Sequence, residues 1–114
     1  MIQPNELRIG NWAVNYGQYV CIEADDIVDC YHSPESYDPI LLTPEILKKI
    51  GFKCADHTYM GGVVYYLKNI QWVYREKGVC FVMVNGFPLS HIFYLHQLQN
   101  LYFALTGEEL EIDL

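Results

Sequence analysis

The pattern of apolar and polar positions predicts a small sheet at the start of the chain. Two short strand-like runs, residues 9–15 and 19–24, lie on either side of a turn that contains Gly17, and in the second run Val20 and Ile22 alternate with Cys21 and Glu23. A third run at residues 27–31 follows two consecutive aspartates. Alternation with a period of two is typical of half-buried strands. We therefore predict a small N-terminal β-meander.

A second region, residues 59–93, is predicted to form an antiparallel sheet. Its strand-like runs are residues 63–67, 70–75 and 79–84, and the last two flank a hairpin turn with Gly78 in the left-handed conformation. Asn85-Gly86 is the strongest hairpin signal in the chain. Because proline donates no backbone hydrogen bond, Pro88 predicts that the following strand lies at an edge or contains a bulge.

A short helix is predicted between the two sheets. Thr43 supplies an N-cap hydroxyl, Pro44 suits the first helical position, and Gly51 ends the helix about seven residues later. Two proline-containing turns at residues 32–39 predict a loop before it.

The last predicted element is an amphipathic helix from about residue 95 to residue 106, closed by Gly107. At 100° per residue its apolar side chains form one stripe that we expect to face a core: Leu95, Leu98, Leu101, Tyr102 and Leu105. Phe103 lies on the opposite side with His96 and Gln99. An aromatic residue on the polar side suggests a surface that another molecule covers, or a second intramolecular face.

These elements predict an α+β fold in one domain. The order is an N-terminal β-meander, a short helix, an antiparallel sheet, and a C-terminal helix that covers one face of that antiparallel sheet. The chain of 114 residues has 52% hydrophobic and 18% charged residues, which excludes disorder and low-complexity repeats. A chain of this length is the usual size of one domain, so we predict a single domain over residues 1–114.

Charge is unevenly distributed along the chain. Residues 1–47 carry a net charge of −7, residues 48–107 carry +4, and residues 108–114 carry −4. Lysine and arginine are too sparse for an ordinary nucleic-acid interface, so we expect no nucleic-acid partner. Asp25, Asp26 and Asp29 are candidates for an acidic surface that meets a basic partner; the alternative is that they only confer solubility.

The sequence predicts a cytoplasmic protein without a membrane segment. The first residues lack the basic and apolar regions of a signal peptide, and no apolar run is long enough to span a bilayer. The four cysteines are widely spaced without a C-x-x-C motif, so we expect free, mostly buried thiols.

Metal binding and catalysis are more specific functions that some residues of the sequence suggest. Possible ligand pairs occur at residues 30–32, at residues 54–57 and at His91 with His96, but none shows the doubled spacing of structural zinc sites. Four cysteines and four histidines offer a Cys–His pair by chance, and Asp25-Asp26 is explained by a turn. We therefore expect no catalytic residue, no metal and no cofactor.

Three segments carry a resemblance to known proteins. The ending HQLQNLYFALTGEEL at residues 96–110, together with LRIGN at 7–11 and LTPE at 42–45, resembles a family of short uncharacterised proteins from gut bacteria and from their phages or mobile elements. Residues 7–14 also resemble the opening strand of SH3-like barrels. The first resemblance implies an accessory protein of a phage or mobile element, and it implies no particular activity.

The sequence thus predicts a small non-enzymatic binding or interaction module with a protein partner. The alternative is a phage-type inhibitor or small-ligand sponge that acts through an acidic or aromatic surface. Ten tyrosines favour an aromatic recognition face, although strands alone also favour tyrosine. The predicted interaction surface combines the acidic residues with the polar side of the last helix: His96, Gln99, Phe103, Asp25, Asp26 and Asp29. A weak homodimer through the Phe103 side is a further expectation.

Overall fold

The structure is a computed structural model that describes residues 1–77, 79–89, 91–112 and 114. Its fold class is α+β, as predicted, with two antiparallel sheets and three α-helices. The helices are α1 (Ala24–His32), α2 (Pro44–Lys49) and α3 (Leu95–Thr106), and single 3-10 turns lie at Pro4–Glu6 and Pro34–Ser36. The strands are β1 (Trp12–Asn15), β2 (Gln18–Cys21), β3 (Tyr37–Asp38), β4 (Lys53–Tyr59), β5 (Gly62–Leu67), β6 (Ile70–Tyr74), β7 (Phe81–Val84) and β8 (Phe87–Leu89).

The chain divides into two compact units. Unit 1 contains Met1–Leu41, Tyr94–Leu110 and Leu114, and unit 2 contains Leu42–Phe93 and Glu111–Asp113. The single domain over residues 1–114 stays a prediction. Within the described residues, no helix has the length and apolar character needed to cross a membrane.

Unit 1 is built on a three-stranded sheet with the order β2-β1-β3. The β1–β2 hairpin turns at Tyr16 and Gly17, which both have positive φ angles, 50° and 79°. Helix α3 packs against β1. A C-terminal helix packed on a sheet is therefore confirmed, but this sheet is the N-terminal one, whereas the sequence predicted the sheet of residues 59–93. The core of the unit consists of Ile2, Leu7, Ala13, Ile22, Cys30 and Tyr37.

The prediction of a third meander strand at residues 27–31 is wrong. Residues 27–31 lie inside helix α1, and the strand that completes the sheet is β3, which pairs with β1 instead of β2. A side-chain contact favours the helix: the Asp26 carboxylate accepts a hydrogen bond of 2.9 Å from the Glu23 backbone N–H at the helix start. Carboxylates in the first turn also stabilise the positive end of a helix.

Both predicted helices are confirmed with their boundaries. The Thr43 hydroxyl accepts a hydrogen bond of 3.3 Å from the Ile46 N–H at the start of α2. Gly51 has a φ of 99° just after α2, and Gly107 has a φ of 73° at the end of α3. Such positive φ angles cost a glycine little, which is why these residues end the helices.

The buried stripe of α3 differs from the predicted one. Leu95, Leu98 and Tyr102 are buried, but Leu101 is only half-buried and Leu105 is 45% exposed. His96 and Gln99 take their place, each with 1% exposure. The buried face is rotated from the apolar stripe because polar groups of unit 1 bond to this side of the helix.

Unit 2 is a five-stranded antiparallel meander in which β4 to β8 follow one another in order. The turn at Asn85 and Gly86 has φ angles of 52° and 83°, the conformation of a type I′ hairpin. Pro88 lies in β8, which is an edge strand as predicted. The predicted glycine turn at Gly78 lies outside the described residues.

The sheet of unit 2 is curled. The Tyr59 ring at the end of β4 lies 6.2 Å from the Phe81 ring at the start of β7. Tyr59 of β4 and Pro88 of β8 also line one cavity, although these two edge strands are four positions apart, about 19 Å when a sheet is flat. Val64, Val73 and Met83 form a buried cluster on the inner side, which we call the concave face, and Ala55 and Phe81 pack against it.

Candidate functional site

The most distinctive feature of unit 2 is an apolar cavity of about 290 Å³. Both edge strands of the curled sheet contribute to it, together with the segment before β7. Its walls are almost entirely apolar side chains: Tyr59, Met60, Val79, Cys80, Phe81, Pro88 and Leu89. Pockets that bind small molecules are typically concave and lined by apolar and aromatic side chains. This cavity is therefore the strongest candidate binding site in the described part of the chain.

Two aromatic rings form a rigid part of the cavity wall. The rings of Tyr59 and Phe81 meet edge to face, with an interplanar angle of 67°. This is a favoured arrangement because the positive edge of one ring meets the negative face of the other. Gly62 follows directly on the β4–β5 turn, where strand β5 approaches β6 closely. A Cβ at Gly62 would lie only 2.6 Å from Val73 Cγ1 and 2.8 Å from Arg75 Cγ.

Arg75 ties together the two segments at the rim of the cavity. Its Nε donates a hydrogen bond of 3.2 Å to the Val79 carbonyl, and its Nη1 donates one of 3.4 Å to the Met60 carbonyl. The guanidinium carbon lies 6.0 Å from the centre of the Phe81 ring, within cation–π range. Arg75 therefore acts as a positioning residue whose donors point to the protein backbone.

A second, polar cavity of about 510 Å³ lies at the other end of unit 2. Its lining residues are mostly polar: Cys54, Ala55, Asp56, His57, Tyr66, Lys68 and Gln71. His57 Nδ1 lies 3.8 Å from Asp56 Oδ1, and both side chains are largely exposed. An exposed pair at this distance is screened by water and contributes little. It lacks the burial that normally prepares a carboxylate or histidine for acid–base chemistry.

The cysteines are free thiols, and they are less buried than predicted. Cys30 is buried, Cys80 is partly buried, and Cys21 and Cys54 are exposed. Burial and the nearby Asp29 and Glu6 carboxylates raise the pKa of the Cys30 thiol. Within the described residues, no cluster of three or more cysteine, histidine or acidic side chains has a geometry suited to a metal ion.

The predicted acidic residues Asp25, Asp26 and Asp29 lie in α1, and two of them contact Tyr37 of β3. The buried Tyr37 hydroxyl donates hydrogen bonds of 3.1 Å to Asp26 Oδ1 and 2.9 Å to Asp29 Oδ2. Burial, reinforced by these two carboxylates, raises the pKa of Tyr37 well above its usual range. Asp26 and Asp29 thus anchor a core tyrosine, and Asp25 lies exposed beside them.

The interaction surface predicted on α3 is only partly a surface. His96 and Gln99 are buried, so including them in an exposed surface of this chain was wrong. Phe103 is 40% exposed, and the Arg8 guanidinium carbon lies 4.3 Å from the centre of its ring. Arg8 therefore covers one face of Phe103 within unit 1.

The buried polar side of α3 joins a hydrogen-bond network. Gln99 Oε1 accepts a bond of 2.8 Å from the Trp12 N–H, and Gln99 Nε2 donates one of 2.9 Å to the Gly10 carbonyl. Asn100 Oδ1 accepts from Arg8 Nη1 at 2.6 Å and from Asn11 Nδ2 at 2.9 Å. These bonds explain why α3 turns a polar stripe toward the sheet.

Arg8 and His96 complete the polar side of unit 1. Arg8 forms an ion pair with Glu109 in addition to its bond to Asn100. His96 Nε2 lies 3.6 Å from Glu6 Oε1, and neither ring nitrogen has a hydrogen-bond partner. Burial lowers the pKa of His96, and the Glu6 carboxylate opposes this shift.

Sequence reasoning missed both the apolar cavity and the polar network. Tyr59, Phe81 and Pro88 are separated along the chain, and their approach depends on the curl of the sheet. For the network, Gln99 was predicted to lie on an interaction surface, whereas its amide bonds to the backbone of unit 1. Comparison with protein-family models, with curated proteins and with solved structures finds no match to this chain.

Proposed function

We propose that this protein is a small non-enzymatic binding module and that the apolar cavity of unit 2 is its binding site. The single observation that carries the proposal is the cavity itself, with its almost entirely apolar lining. The resemblance of the chain's ending to short proteins of gut bacteria and their phages or mobile elements supports an accessory role.

The chemistry of the walls supports binding rather than catalysis. The lining side chains can exclude water and make van der Waals and aromatic contacts, which is how apolar ligands are held. The described lining residues of the cavity do not include a carboxylate, imidazole or ammonium group, which are the groups that most often act as general acids or bases. Val79 of the lining is itself 67% exposed, so the cavity opens to the surface at this residue.

The proposal is tested by titrating the full chain with the neutral fluorescent probe N-phenyl-1-naphthylamine. We expect saturable binding that weakens at least tenfold in Val79→Glu, because a carboxylate at the rim opposes burial of an apolar probe. Val28→Glu is the matched control, since Val28 in α1 is 58% exposed and Val79 is 67% exposed. Equal probe affinity in wild type and Val79→Glu, with both folded by circular dichroism, contradicts the proposal.

The second candidate function is an inhibitor-type contact of the acidic α1 face with a basic protein. The exposed side of α1 combines Asp25 with the apolar Val28 and Tyr31, a mixture common at protein interfaces. Binding of a lysine-rich peptide should weaken in Asp25→Asn and with rising salt, because exposed charges are screened. Asp56→Asn in unit 2 is the control; equal loss in both variants indicates nonspecific attraction.

The weak homodimer through Phe103 rests on fewer groups than the sequence predicted. Phe103 keeps one exposed ring face, while His96 and Gln99 are buried and cannot contribute. Burial of one phenylalanine contributes about 1.5–3 kcal/mol, so neighbouring side chains have to add to it. Sedimentation of wild type and Phe103→Ser at tens of micromolar decides the matter, and a monomeric wild type ends this proposal.

A further inference from the structure

We propose that the apolar cavity of unit 2 takes an uncharged, planar aromatic group of one or two fused rings. This inference rests on the proposed function, because it names the ligand class of the same site. Three properties of the cavity support it: its lack of available charge, its size, and the geometry of its aromatic walls.

The first property is charge. None of the seven described lining residues is an aspartate, glutamate, lysine, arginine or histidine, and their polar side-chain groups are the Tyr59 hydroxyl and the Cys80 thiol. Arg75 is not among the lining residues, and its Nε and Nη1 donate to the Val79 and Met60 carbonyls. A charged ligand would therefore lose its hydration without gaining an equivalent partner, which disfavours it.

The second property is size. An apolar cavity of about 150 Å³ accommodates a benzene molecule. The present cavity of about 290 Å³ has room for roughly twice that volume. One ring or two fused rings therefore fit.

The third property is the arrangement of the walls. The Tyr59 and Phe81 rings are already fixed edge to face, so a third ring can stack or meet them edge-on without reordering either side chain. Met60 at the rim has a φ of 51° and adds a thioether, which contacts aromatic rings favourably. Aromatic contacts of this kind correspond to about a 2- to 10-fold gain in affinity over burial alone.

The test uses competition against N-phenyl-1-naphthylamine on the full chain with two matched pairs of competitors. The pair 2-naphthol and decahydro-2-naphthol shares a skeleton and differs in aromaticity, and we expect 2-naphthol to bind about 2- to 10-fold more tightly. The pair 2-naphthamide and 2-naphthoate differs in charge, and we expect the amide to bind at least tenfold more tightly.

A wall variant locates the aromatic preference. Phe81→Leu should remove most of the preference for 2-naphthol while changing the affinity for decahydro-2-naphthol less than about twofold. Tyr19→Leu, at an exposed position of unit 1, is the control and should leave the preference unchanged. If Phe81→Leu does not fold, the competitor pairs on the wild-type chain decide the question.

The outcomes separate this inference from the proposed function. Equal affinity for the aromatic and saturated skeletons, or tighter binding of the carboxylate, overturns the ligand class while probe binding still supports the site. Loss of the aromatic preference in Tyr19→Leu but not in Phe81→Leu places the preference elsewhere and also overturns it. If neither the fluorescent probe nor any competitor binds, the proposed function itself fails.

Discussion

The two units of this protein provide hydrogen-bond partners for their backbone groups in different ways. In unit 1 the strands have two to four residues, and side-chain amides from α3 bond to the backbone at their ends. In unit 2 five consecutive strands pair in a continuous ladder. Backbone groups that find partners in neighbouring strands leave the side chains free for other contacts.

This difference explains where binding capacity lies. Side chains of unit 1 such as Gln99 and Asn100 are used to fix the helix on its sheet, and buried polar networks of this kind favour one arrangement. On the concave face of unit 2, apolar side chains form a small cluster and then leave an open cavity beside it. The unit with the more regular backbone thus offers the better site for a ligand.

The largest expected effect comes from truncation of the buried side of α3. Leu98→Ala should lower the free energy of unfolding by about 2–5 kcal/mol, because it leaves a cavity at a fully buried position. The matched control is Leu105→Ala on the exposed side of the same helix, with an expected change of at most about 0.5 kcal/mol. Urea denaturation measures both; equal losses contradict the observed rotation of α3.

The polar network can be broken selectively. Gln99→Leu leaves the Trp12 N–H and the Gly10 carbonyl without their partner, at an expected cost of about 1–3 kcal/mol per buried group. Gln71→Leu makes the same chemical change on the half-buried concave face of unit 2, and we expect a cost below about 1 kcal/mol. If the two variants denature at the same urea concentration, the two units do not differ as described.

The smallest expected effect is a dependence of stability on pH in unit 1. Because burial lowers the pKa of His96 in the folded state, the unfolded chain takes up its proton first. Stability from this group is therefore complete above the unfolded pKa of about 6.5 and declines as the pH falls below that value. Urea denaturation between pH 7.5 and 5.5 should show this decline in wild type.

Two histidine variants test whether His96 causes the decline in stability as the pH falls. His96→Leu should flatten it, and His57→Leu, which changes an exposed histidine of unit 2, should leave it in place. Glu6→Gln should make the decline steeper, because the Glu6 carboxylate favours the protonated ring. A decline that survives in His96→Leu assigns the pH dependence to other groups.

Sequence signals a few residues long predicted the structure correctly where neighbouring residues determine the backbone conformation. The Thr43-Pro44 helix start, the glycine that ends α3 and the Asn85-Gly86 hairpin all occur as predicted. Residues 27–31 were assigned to a strand because a short apolar run fits either element. The capping contact between Glu23 and Asp26 favours the helix, and it depends on a side-chain rotamer that the pattern does not show.

The sequence by itself therefore determined the α+β class, the bounds of α2 and α3, the β1–β2 and β7–β8 hairpins and the edge position of β8, but it did not predict α1, β3 or most of β4. The tertiary structure decided which side of α3 is buried, because the amides of Gln99 and Asn100 find backbone and arginine partners only when the helix lies on its sheet. It also decided the cavity, since Tyr59 and Phe81 approach only through the curl of five strands. Helix starts and turns depend on contacts a few residues apart, whereas burial and cavities depend on contacts between residues distant in the chain.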